Sequence, residues 1–196
     1  MSRDYIQENL VNTGRTIIKE KGAEFLTARK LSEASGYSVG TIYNQFGNMD
    51  NFILVQNYLT LDALYQRFLK VENKSAYERL NEYASVFAEF VMENKNFWFM
   101  VFNFHLHHSE QTFSITYLRR ISMMVMLLEK AFKELYPDLK NDKRHVSVQV
   151  LWIALFSVSA LLTTPSLEAY SKIEQTKICK YMLNTYLTGI KVLEKM

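Results

Sequence analysis

An all-α fold is what this sequence predicts, and three observations carry the prediction. Breakers are scarce: 196 residues hold only two prolines and six glycines, too few for the many turns of a β protein. Apolar residues recur at steps of three and four along most of the chain, the period of amphipathic helices. The hydrophobic share of 48%, with 13 phenylalanines and 12 tyrosines, is enough to bury one large domain or two small ones.

The elements follow in order. Helix 1 is expected from about Asp4 to Lys21, with Ile6, Leu10, Ile17 and Ile18 on one face and Gly22 as its stop. Thr27 caps a short second helix through Ser35, with Leu31 and Ala34 inward. Ser38 caps a third through about Gln45, and Asn48 a fourth that runs through Phe52, Val55, Leu59, Leu64 and Phe68. Beyond Lys74, long helices are expected over Ser75–Glu93, Phe97–His107, Ser109–Tyr136, Asp142–Thr164 and Ser166–Lys195. In the third of these, Leu118, Ile121, Val125, Leu128, Phe132 and Leu135 form a heptad seam. In the last, Cys179, Leu183, Tyr186, Ile190 and Leu193 form one stripe. The uncharged run Val146–Leu167 holds Gln149, Ser157, Ser159, Thr163 and Thr164, which favours a helix buried in a bundle over a membrane span.

The stretch "SGYSVGTIYNQF", residues 35–46, carries two glycines among hydroxyls and amides, with no lysine or arginine. Gly36 suits the left-handed turn between two short helices, a helix-turn-helix. Gly40, one turn into the third helix, lets backbone approach another surface. Hydroxyls and helix-terminal N–H groups suit phosphate oxygens, and Asn or Gln amides suit adenine edges in the major groove.

The segment "TARKLSEASGYSVGTIYNQFGNMDNF" resembles the helix-turn-helix of the tetracycline-repressor (TetR) family of bacterial transcription regulators. The match rests on Thr27, Leu31, Gly36, Ser38, Gly40, Thr41, Tyr43, Phe46, Asn48 and Phe52. The resemblance implies a three-helix DNA-binding domain over residues 1–47, then a helical ligand-binding and dimerisation domain over 48–196. It implies that Thr27, Arg29 and Tyr43 hold phosphates, and that Ser38, Val39, Thr41, Asn44 and Gln45 lie in or beside the major groove. Asn48 is counted with these DNA-facing residues. Leu31, Ala34, Ile42 and Phe46 would be the small core behind them. Val39 and Met49 stand where the family often has a basic residue, which bears on affinity more than on the mode of binding.

The same resemblance implies a homodimer through the last two helices, a near-palindromic double-stranded operator, and release of a repressor by a small apolar or aromatic ligand. Candidate ligand residues are Trp98, Phe102, His105, Tyr117, Met124, Trp152 and Phe156, aromatic rings and a flexible methionine suited to a roomy apolar pocket. The alternative is a small-molecule binding protein that has lost sequence-specific DNA binding. His105, His108 and Glu110 raise a metal reading, but no further ligand at metal-site spacing completes it. No phosphate-binding glycine loop, nucleophile elbow or paired carboxylates point to an enzyme, and no cofactor is implied. A single cysteine, Cys179, precludes an internal disulfide. With no signal-peptide-like start, the expectation is a cytoplasmic protein.

Overall fold

The computed structural model describes residues 3–72, 74–107, 113–162, 164 and 173–194, and the regular elements among them are all helical. They are α1 (Arg3–Lys21), a 3-10 turn (Ala23–Phe25), α2 (Ala28–Ser35), α3 (Val39–Phe46), α4 (Met49–Leu69), α5 (Ala76–Glu93), α6 (Lys95–His107), α7 (Ile115–Leu135), α8 (Asn141–Leu162) and α9 (Gln175–Glu194). The chain folds into two compact units, each discontinuous in sequence. The first is residues 1–62 with 94–118, and the second is residues 63–93 with 119–196.

The first unit is built around Leu10, Ile17, Ile18, Leu26, Leu31, Ile42, Phe52, Phe97 and Met100. The last two come from α6, so this helix completes the core beneath α1 to α3. Polar straps tie α1 to its neighbours. Gln56 Nε2 donates to Val11 O at 3.1 Å. The Arg15 guanidinium donates to Gln56 O at 3.0 Å and Thr60 Oγ1 at 2.9 Å, and lies 3.8 Å over the Phe97 ring. Asn96 Nδ2 donates to Ile18 O at 3.1 Å and to Lys19 O at 3.3 Å, bracing the last turn of α1. Burial lowers the Arg15 pKa. Gly14 explains why α1 and α4 cross so closely: a Cβ there would stand 2.7 Å from Phe52 Cζ and 2.9 Å from Gln56 Nε2.

In the second unit α9 packs along α5 and α8, and α5 along α8. Tyr136 and Tyr186 donate their hydroxyls to Leu187 O and Ser147 O, each at 2.8 Å. Phe68 and Tyr83 pack at 4.9 Å, and Phe87 meets Trp152 edge-on at 5.9 Å. Arg79 pairs with Glu134.

Three expectations are corrected. Ala34 is exposed: a helix of eight residues buries one side chain, Leu31, and Ala34 falls on its rim. Helix α7 starts at Ile115, where the Ser114 hydroxyl accepts from Tyr117 N, and the non-helical residues 113–114 precede it; Ser109 lies outside the described residues. The start expected at Ser166 lies outside the described residues; α9 is described from Gln175, after Glu174 supplies the first helical carbonyl. Helix α8 is not buried on all sides: Val146, Val150 and Ile153 are exposed on one stripe. His108, Glu110 and Pro165 lie outside the described residues.

Candidate nucleic-acid interface

The α2–α3 pair is held by caps that the sequence spells out. Thr27 Oγ1 accepts from Lys30 N at 3.2 Å, and Ser38 Oγ accepts from Thr41 N at 3.0 Å. Each satisfies one of the N–H groups that a helix start leaves without a partner. Gly36 closes α2 at φ 77°, in the left-handed region, with its N–H on Ser32 O. Ser32 Oγ donates to Tyr37 O at 2.7 Å and stiffens the turn. At the far end Asn48 Oδ1 accepts from Asn51 N at 2.8 Å, while Asn51 Nδ2 donates back to Phe46 O at 2.9 Å. Asn51 was not singled out from the sequence; its place three residues after a capping Asn was the available signal.

These caps leave one face of α3 outward. Ser38, Val39, Gly40, Tyr43 and Asn44 are exposed, Thr41 is half-buried, and Ile42 is turned wholly inward. Ser38 and Thr41 hydroxyls share a hydrogen bond of 2.9 Å. A Cβ on Gly40 would meet only Ser38 Oγ, at 3.6 Å, so nothing inside the chain requires glycine there. Gln45 is half-buried, its amide oxygen inside and its backbone carbonyl accepting from Gln7 Nε2 at 3.4 Å. Thr27 and Asn48 are exposed. Arg29, its side chain 87% exposed, pairs with Glu33 at 3.0 Å, and Lys30 pairs with the other oxygen of the same carboxylate at 3.0 Å. Both hydrogen bonds hold the Glu33 carboxyl below its usual range.

The ligand candidates divide between the units. Trp98 and Tyr117 are fully buried and Phe102 and His105 half-buried in the first. His105 Nδ1 donates to Val101 O at 2.8 Å. The Tyr117 hydroxyl stands 3.5 Å from Nε2, and Phe113 stacks on both rings, at 4.9 Å and 5.4 Å. Burial lowers the His105 pKa, which favours the neutral imidazole, and raises that of Tyr117. Phe113 was missed, although it stands four residues before Tyr117. In the second unit Met124 and Trp152 are buried, and Trp152 lies 6.5 Å from Phe156. A cavity of about 260 Å³ in the first unit is lined by Asn51, Leu54, Val55, Tyr58, Ser114 and Thr116, none of them a ligand candidate. Among the described residues no three His, Cys, Asp or Glu side chains converge as metal ligands, and no helix is long and apolar enough to cross a membrane.

Comparison with known proteins bears on this face directly. Residues 10–54 match the model of the bacterial regulatory proteins of the tetR family. No curated protein sequence matches the chain. Among solved structures, the chain is similar to Thermus thermophilus FadR, a TetR-family transcriptional repressor in complex with lauroyl-CoA: TM-score 0.72 at 16% identity, covering 92% of this chain and 93% of that one. A putative transcriptional regulator from Pseudomonas aeruginosa PAO1 gives a TM-score of 0.72 at 12% identity, covering 98% and 93%. The fatty acid degradation regulator FadR from Bacillus halodurans gives 0.70 at 15%, covering 94% and 95%. At these identities the likeness along the whole length is one of fold. Residues 10–54 thus match the helix-turn-helix of the tetR family of bacterial regulatory proteins, and the chain as a whole has the fold of these solved regulators.

Proposed function

We propose that this regulator is a homodimeric repressor that reads a near-palindromic operator and leaves it when a small apolar or aromatic ligand binds. The observation that carries the reading is the outward face of α3, polar and charge-free, presented by caps at both ends. Residues 1–47 read DNA and 48–196 serve ligand and partner. Asn44 faces a base edge, Ser38, Val39, Thr41 and Gln45 flank it, and Thr27, Arg29, Tyr43 and Asn48 hold the backbone. The candidate ligand residues are Trp98, Phe102, His105 and Tyr117 in the first unit and Met124, Trp152 and Phe156 in the second, a reading supported within each unit by buried aromatic rings and by the acyl-CoA in the Thermus thermophilus relative.

The dimer is supported by apolar side chains left exposed on the last two helices: Val146, Val150 and Ile153 on α8, Tyr181 and Val192 on α9. Pairing these helices with a second copy makes a two-fold four-helix interface. The two α3 helices must then stand about 34–36 Å apart to meet successive major grooves. A ligand lowers DNA affinity only if it favours another spacing, with coupling on the order of 1–3 kcal/mol.

Selection of bound sequences from random duplex DNA tests the reading. One enriched near-palindrome is expected, and Asn44→Ala should cost about 1–3 kcal/mol on it with little loss on random DNA. Equal losses on both would make Asn44 a phosphate contact. Absence of any enriched sequence at low salt overturns the regulator and favours a binding protein that no longer reads DNA.

A further inference from the structure

The helix-turn-helix, residues 27–46, contains two cations, Arg29 and Lys30, and one anion, Glu33. All three lie on α2, and α3 has no charge at all. Glu33 engages both cations at once: Arg29 Nε on one carboxylate oxygen and Lys30 Nζ on the other, each at 3.0 Å. The three side chains are open to solvent, at 87% for Arg29, 56% for Lys30 and 49% for Glu33. Nothing in their burial therefore calls for neutralisation, and the carboxylate takes one N–H donor from each cation, the Arg29 Nε–H and one of the three on Lys30 Nζ.

Resting on the reading of α2–α3 as a DNA interface, we propose that Glu33 is an internal phosphate competitor that sets the ceiling on DNA affinity. Arg29 and Lys30 reach the backbone either by leaving Glu33 or by sharing their remaining N–H groups with it, and in both cases its negative charge stays beside the phosphates. The net gain of the helix-turn-helix on DNA is one charge where its cations number two. Affinity is thereby moved away from sequence-independent counterion release. It rests instead on the neutral groups of α3, which carry the base readout. A dimer limited in this way gives up tightness on operator and bulk DNA alike, and the ratio between them is left to the neutral groups of α3.

The test is Glu33→Gln, which keeps the shape and helix propensity of the side chain and removes its charge. Binding is measured across a salt series on the selected operator and on a random-sequence duplex about three turns long. Glu33→Gln should tighten both DNAs by on the order of fivefold per subunit, the scale on which two exposed helical ion pairs exchange. It should steepen the salt slope by about one per subunit, and the gain should shrink as salt rises. The ratio of operator to random affinity should stay the same. In an Arg29→Gln, Lys30→Gln background, Glu33→Gln should tighten DNA binding by less, since only the repulsion between its own charge and the phosphates is then relieved. Equal affinity and slope for wild type and Glu33→Gln overturn the competitor, while wild-type operator binding leaves the regulator standing. A gain that is undiminished without the two cations also overturns it, because it would be bulk repulsion alone. Binding by Glu33→Gln where wild type fails supports it. Failure of both proteins on every duplex at low salt removes the DNA reading, and the competitor with it.

Discussion

Two isoleucines show how differently the two ends of the molecule are stabilised. Ile42 in α3 is 0% exposed, inside a core completed by α1, α4 and α6 of the same chain. Ile153 in α8 is 59% exposed, in line with Val146 and Val150. The eight-residue α3 has caps, a glycine stop and one deeply buried side chain. The 22-residue α8 has length and apolar character beyond what its own chain covers. A short helix in a small unit must be specified by local chemistry, because an isolated helix of that length is unstable. A long helix can keep an uncovered face, provided a second copy covers it.

The largest expected break in this comparison is Ile42→Ala. Removing a fully buried side chain should cost about 2–5 kcal/mol, measured by chemical denaturation. Gly14→Ala comes next, at about 1–3 kcal/mol, because the new methyl must displace the Phe52 ring and the Gln56 amide. A neutral result would mean that α1 and α4 can separate at no cost. Ser38→Ala should cost roughly 0.5–2 kcal/mol by leaving the Thr41 N–H without its cap. Ile153→Ala should change the stability of the isolated chain least, within about 0.5 kcal/mol. It should instead make the melting temperature more concentration-dependent and shift light scattering towards the 23.0 kDa chain. A purely monomeric wild type would break the comparison at that end.

What was legible in the sequence was local. Thr27, Ser38 and Asn48 as caps, Gly36 as the turn and Pro137 after α7 each act within a few residues, so spacing alone places them. Ala34 was misplaced because a single helical turn does not say which edge residue a neighbour will cover. The start of α7 was set too early because hydroxyl-rich sequence before an apolar run offers several caps, and Ser114 is the one used. Gly14 carries no local signal, since its reason is Phe52 and Gln56, some forty residues on. The stacked Phe113, His105 and Tyr117 were half-legible: the residue types stood out, but their pairing depends on how α6 meets the start of α7.

Phe97 and Met100 have a bearing on how the chain reaches this state. They belong to the core that also holds Leu10 and Ile42, yet the chain between Asp62 and Asn94 builds the other unit. During synthesis the amino-terminal helices emerge first but lack two of their core side chains until α6 has been made. Closing that loop carries an entropic cost, though one that grows only slowly with its length. The two units are therefore interleaved in time as well as in sequence. A fragment ending at residue 47 or 62 would leave part of the first core open to water, and the helix-turn-helix gains its full support only when the chain returns to it.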